Sequence, residues 1–213
     1  MPGKRRARAL AVLLCLLFAN ETARGADSRD ALQKAASLVQ QGRLEEADRE
    51  VQPALSDPAT RAAACSVLGT IRFQQKRTNE SVRLLEEAIR LEPRLVGANL
   101  ILAGIYVDEG TPERAAELFE RVLRLDWGNA AARLALVRLE AERGNFQKSL
   151  QIAHPMLPTL KGSPEGLMVL ATDYFNTSNR PAAAALEHDW ARLADVPLEW
   201  SVKFALLLAR NGI

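Results

Sequence analysis

Counting in steps of 34 from Gly42 reaches Lys76, Gly110, Gly144, Ser178 and Gly212, a glycine or a polar loop residue each time. An interval that persists through a chain in this way restricts it to a stacked array, in which each repeat hides its apolar face only against its neighbours. A stretch of apolar residues at helical spacing stands on either side of each position, so each repeat reads as helix, turn, helix. The registers are 28–61, 62–95, 96–129, 130–163 and 164–197, followed by a half unit at 198–213.

Two columns, almost entirely of small residues, support the pairing of these helices. Five residues beyond the turn position stand Ala47, Ser81, Ala115, Ser149 and Ala183; earlier in each unit stand Ala35, Gly69, Ala103, Val137 and Ala171. Antiparallel helices approach closely only where side chains are small, so the columns mark the crossing point of each pair. Large apolar residues fill the faces between, with Leu38, Leu68, Leu102, Leu136 and Leu170 on first helices and Val51, Leu85 and Phe119 on second ones. Thr111-Pro112-Glu113 and Ser163-Pro164-Glu165 each offer a hydroxyl cap, a first-turn proline and a carboxylate at the positive end of the helix dipole. Asn145 and Asn179 are expected to cap in the same way, and Pro58 and Pro93 to separate units. Pro155 and Pro158 fall inside the second helix of the fourth unit, which is therefore expected to break or bend near His154.

These residues resemble the tetratricopeptide repeat family. Between Gly97 and Asp126, Leu102, Ala103, Tyr106, Gly110, Ala115 and Phe119 fall on the family's positions, and the second unit matches through Leu68, Gly69, Ala88 and Pro93. Trp127 stands where the family has a late proline, and the fifth unit, with Tyr174 and Trp190, departs furthest from the pattern. The resemblance covers nearly all of residues 28–213 and implies an all-α fold, a right-handed superhelical solenoid of antiparallel helix pairs. It also implies a concave surface, lined by first helices, that binds extended or helical segments of other proteins.

The groove positions implied by that resemblance are Arg29, Leu32, Ala36 and Val39; Ala63, Ser66, Thr70 and Phe73; Gly97, Leu100, Gly104, Val107 and Asp108; Leu134, Arg138 and Ala141; and Met168, Thr172 and Phe175. About half of these are expected to serve packing between units. The residues expected to touch a partner are Phe73, Thr70, Asp108, Val107, Arg138 and Phe175. A charge or a large ring on an inner face is less needed for stacking than a small residue. Family members that grip a C-terminal carboxylate use Lys and Asn where this chain has Leu32, Ala36 and Val67, so a clamp of that kind is not expected.

Nothing in the residue pattern points to catalysis or to a cofactor. His154 and His188 are the only histidines and occupy equivalent positions 34 residues apart, about one repeat spacing, too far for shared metal ligation. Glu187, His188 and Asp189 are consecutive and point in different directions on a helix, as a solvated face would. The chain has no Gly-rich phosphate loop, HExxH spacing or nucleophile elbow. Acidic and basic runs such as Glu45-Glu46-Ala47-Asp48 and Arg83 to Glu87 read as exposed helix surface with pairing along the helix.

The start of the chain reads as an address. Lys4-Arg5-Arg6-Ala7-Arg8 precedes Ala9 to Ala19, an apolar run of eleven residues, against the about 20 needed to cross a bilayer. Ala23 and Gly25 then have the spacing a signal peptidase accepts, so residues 1–25 are expected to be a cleaved secretory signal and 26–213 the repeat array, secreted or periplasmic. Cys15 lacks the flanking small residues of a lipoprotein site. Removing the leader takes five of 28 bases and one of 26 acids, leaving a slightly acidic protein without the footprint for nucleic acid or anionic lipid. Cys65 would then be the sole cysteine and is expected to pack, since no basic neighbour in sequence lowers its pKa.

The expected function is a non-catalytic interaction scaffold of the cell envelope or secretory pathway, with a protein or peptide partner in the groove and no membrane insertion after cleavage. The alternative is an accessory repeat domain of a larger enzyme whose catalytic part follows residue 213. Few convergent polar groups speak for small-molecule capture. Helix 198–210 carries only Glu199, Lys203 and Arg210 as charges and leaves much apolar surface, so the chain is expected either to continue or to self-associate or dock a partner there.

Overall fold

The computed structural model describes residues 27–213. The expected leader, with Cys15 and the cleavage position, lies outside the described residues. Every regular element among those described is helical, and they form two compact units that divide at Glu109 and Gly110. The N-terminal unit holds α1 (27–40), α2 (Leu44–Leu55), α3 (Arg61–Gln74), α4 (Thr78–Leu91) and α5 (Val96–Asp108). The C-terminal unit holds α6 (Pro112–Leu125), α7 (Ala130–Glu142), α8 (Phe146–Ala153), a 3-10 turn at His154–Met156, α9 (Leu157–Lys161), α10 (Pro164–Asn176), α11 (Arg180–Ala191) and α12 (Leu198–Arg210).

The 34-residue column has a backbone cause. All six positions are left-handed, with φ of 73° at Gly42, 62° at Lys76, 68° at Gly110, 77° at Gly144, 59° at Ser178 and 75° at Gly212. A left-handed residue lets the chain end one helix and reverse, and glycine takes this conformation without a Cβ penalty. Around Lys76, its own N–H donates to the Phe73 carbonyl at 2.9 Å and the Arg77 N–H to the Arg72 carbonyl at 2.8 Å. The same two bonds recur around Gly42, Gly144, Ser178 and Gly212, satisfying carbonyls that the helix end would otherwise strand.

The N-terminal unit is regular. Ala35, Ala47, Val51, Ala54, Ala64 and Ile71 are fully buried in one cluster with Leu38 and Leu68, and Leu32, Val67 and Leu84 pack on it. At the α3–α4 crossing the Ser81 hydroxyl donates to the Gly69 carbonyl at 2.8 Å. A Cβ on Gly69 would stand 2.8 Å from the Leu85 side chain, which shows how tightly the small columns are used.

The C-terminal unit is less regular, and the departure begins at the expected place. α8 stops at Ala153, the turn His154–Met156 follows, and α9 resumes for five residues. The interruption carries the Leu160 backbone against the start of α10, where a Cβ on Gly166 would meet the Leu160 carbonyl oxygen at 2.2 Å. Beyond it, Leu160, Leu167, Leu170, Ala171 and Leu186 form the core with Phe204 and Leu208 of α12, and the Trp190 ring stacks on Phe204 at 4.0 Å.

Capping follows the sequence in part. Ser163 and Asn179 accept from the N–H groups of Gly166 (3.1 Å) and Ala182 (3.3 Å) as expected, and Asn129 caps α7 through Ala132 at 3.0 Å. At Thr111 and Asn145 no side-chain cap bond forms. Asn145 instead gives its amide to the Glu140 carboxylate at 2.7 Å, a charge-assisted bond and so a stronger one than a cap would make.

Candidate functional site

First helices of the C-terminal unit border a cleft of about 440 Å³. Arg138, Ala141 and Glu142 come from α7, Glu165, Met168, Val169 and Thr172 from α10, and Trp200 from α12. Its floor is apolar, formed by Met168, Val169, Ala141 and the Trp200 ring, with charges at the rim. The Thr172 hydroxyl is turned back onto the Met168 carbonyl at 2.8 Å. Arg138 and Glu142 are exposed, and with Glu165 they form no ion pair among the described residues. Their charges remain available to a second molecule.

Of the six residues expected to touch a partner, Arg138 lines this cleft. Ala141, Met168 and Thr172, from the wider set of groove positions, join it. Phe175 packs half-buried against the core of the C-terminal unit, and Leu134 does the same. In the N-terminal unit, Thr70 and Phe73 stand one turn apart on α3, both half-buried, and the Thr70 hydroxyl donates to the Ser66 carbonyl at 2.9 Å. Val107 and Asp108 close α5 and are exposed.

Glu142, Glu165, Val169 and Trp200 were not read from the sequence. A signal for Trp200 exists, because steps of 34 back from it meet Gly166, Ala132, Ala98 and Ala64, all buried and all small. The half unit puts a large ring where whole units put a packing residue.

The C-terminal unit buries two carboxylates with opposite fates. Glu140 is fully buried and accepts from Asn145 at 2.7 Å and Lys148 at 2.9 Å. Burial pushes its pKa up, but the hydrogen bonds from Lys148 and Asn145 outweigh this and hold it below the ordinary value. Lys148 also bonds Glu120 at 2.7 Å, and these two acids raise its own pKa. Asp173 is fully buried on α10 with neither carboxylate oxygen hydrogen-bonded. Burial pushes its pKa up to about 6, opposed only by the Ser149 hydroxyl, which is already given to the Val137 carbonyl at 3.0 Å. The three preceding units hold Leu139, Ile105 and Ile71 at this position, all buried, and the first holds the exposed Ser37.

The remaining polar groups differ from the sequence reading in how they pair. Acids expected to pair along one helix also reach across helices: Asp48 takes both guanidinium nitrogens of Arg72 at 2.7 and 3.2 Å, Glu50 takes Lys34 and Glu87 takes Arg61. Arg133 is buried beneath the exposed Trp127 ring, 4.2 Å from its centroid, and donates to the Trp127 carbonyl at 2.6 Å. Cys65 is buried, and burial raises its thiol pKa. His154 and His188 are exposed, and Asp189 pairs with Lys161 at 2.8 Å. Among the described residues no cluster of three or more His, Cys, Asp or Glu is placed to hold a metal, and no helix is long and apolar enough to cross a membrane.

Two family profiles described as tetratricopeptide repeat match the chain, over residues 66–130 and 106–172. A search of curated proteins gave no match. Among solved structures, MamA (AMB-1) is 17% identical, with 84% of this chain and 98% of that one aligned and a TM-score of 0.67. YrrB, described as a TPR protein with an unusual peptide-binding site, is 18% identical, with 88% and 93% aligned and a TM-score of 0.67. At such identities the likeness is one of fold. Paired helices, left-handed turns at one interval and two matching profiles agree that the chain belongs to the tetratricopeptide repeat family.

Proposed function

We propose that the protein is a non-catalytic scaffold of the cell envelope or secretory pathway that holds a segment of another protein in the Arg138–Trp200 cleft. What supports this reading is the cleft itself, an apolar floor with unpaired charges of both signs at its rim, large enough for one or two side chains of a bound segment. Such a site favours a segment with an apolar anchor flanked by a base toward Glu142 and Glu165 and an acid toward Arg138. A relative of similar fold is described as peptide-binding, which agrees with this use. The basic and apolar start of the chain supports export.

The test places a photocrosslinking residue at Met168 and, as control, at the exposed Glu187 of α11. Adducts with a protein partner are expected from position 168 and to disappear in Trp200→Ala. Arg138→Glu should weaken the captured complex about tenfold, as loss of an interface anchor does, with little change in melting temperature. Equal adducts from both positions, or adducts indifferent to Trp200, would remove the cleft from the reading. N-terminal sequencing of the exported chain should begin at Ala26.

A further inference from the structure

Trp127 stands in the loop between α6 and α7, in the same compact unit as the cleft, and is 68% exposed. Its loop is held from within. The buried Arg133 lies under the ring and donates to the Trp127 carbonyl, and Asn129 gives its amide to the Asp126 carboxylate at 3.0 Å. One face of the indole covers a guanidinium, and the remainder stays open to a second molecule. A ring already fixed in place loses little freedom when a partner covers it, which suits it to serve as an interface anchor. Arg133 also reaches the Ile152 carbonyl of α8 at 3.3 Å, so the ring is held on the α8 side of α7. Arg138, Ala141 and Glu142 border the cleft from another side of that helix, facing α10 and α12.

We propose that Trp127 of one copy enters the Arg138–Trp200 cleft of a second copy. The proposal rests on the reading that the cleft holds a protein segment, and it names that segment. The rim selects an apolar anchor with an acid toward Arg138 and a base toward Glu142. The loop carries all three. Asp126 adjoins the ring and Arg124 lies two residues earlier, both exposed and neither in an ion pair among the described residues. Arg138 and Glu142 stand one helical turn apart, roughly 6 Å between Cβ atoms. Two residues of chain span roughly 5 to 7 Å, so Asp126 can meet Arg138 while Arg124 meets Glu142. Ring and cleft lie on different sides of one copy, which makes the contact heterologous: every copy added leaves one ring and one cleft free. Assembly therefore continues into rings or filaments instead of stopping at a pair.

Sedimentation velocity of the purified chain alone should show a mass that rises with concentration past two chains. Trp127→Ala and Trp200→Ala should each sediment as single chains, with far-UV circular dichroism unchanged. Mixed together they should form a pair and nothing larger, because one keeps an intact cleft and the other an intact ring. Asp126→Arg should weaken the assembly about tenfold, and Asp126→Arg combined with Arg138→Glu should restore it. A single-chain mass at all concentrations overturns the proposal, as does an assembly that survives Trp127→Ala or a mixture of the two folded variants that fails to pair. Crosslinks from position 168 to a foreign protein alone would overturn the proposal and leave the cleft reading standing; their absence as well would remove both.

Discussion

The N-terminal unit and the C-terminal unit are built from one repeat pattern and spend it differently. In the first, the cluster across α1, α2 and α3 is built of Ala, Val, Leu and Ile, and ion pairs sit between helices at the surface. In the second, a helix breaks at His154, a backbone presses on Gly166, two carboxylates are buried, and the last helix keeps a bare face. The cleft lies in that second unit. In the second unit the departures from the repeat go together with a pocket, unpaired charge and uncovered apolar surface.

Five substitutions, taken as three tests, show how deep this contrast runs. The largest effect is expected from Gly166→Ala, because its Cβ would fall on the Leu160 backbone, which cannot swing aside. A loss of about 3 kcal/mol is expected, against about 1 for Gly69→Ala, where the flexible end of Leu85 can yield. Urea unfolding of both variants checks this, and similar losses would mean that the two units are equally tolerant.

The next effect is pH-dependent. The pKa of Asp173 in the folded protein, about 6, lies above the ordinary 3.8, so the charged carboxylate opposes folding. The penalty is full above about 6 and fades as pH falls toward 3.8. Asp173→Leu restores the apolar residue of the three preceding units and should stabilise more at pH 7.5 than at pH 4, by on the order of 2–3 kcal/mol. Equal gains at the two pH values would show that the carboxylate is not penalised in place.

The smallest effect is expected at the turns. Lys76 and Ser178 adopt the left-handed conformation that glycine takes at the other four positions, at a cost of about 1 kcal/mol each. Lys76→Gly and Ser178→Gly should each raise the melting temperature slightly. A gain in one unit alone would show that the turns carry different loads despite their shared geometry.

How far the residues could be read depends on the reach of the interaction involved. The turn column, the Pro155 break and the Ser163 cap follow from one residue's effect on its own backbone, so the chain alone discloses them. The groove positions Arg138, Ala141, Met168 and Thr172 come from the family resemblance, carried onto this chain by a register that holds along a helix and from one repeat to the next. Phe175 shares that register yet packs on the core, and Thr70 spends its hydroxyl on its own helix. Register sets where a side chain begins and says nothing of the neighbours it meets.

Sequence by itself determined the helix pairs, their interval and their crossing columns, because backbone conformation and helical periodicity are local. Only the tertiary structure decided that Asn145 serves Glu140 instead of a cap, that Asp173 is sealed from water, and that Trp200 closes a cleft with residues from two other helices. The last two depend on groups distant in the chain arriving within a few ångströms, and the first on a buried carboxylate across a single turn; in each, burial and charge outweigh intrinsic preference.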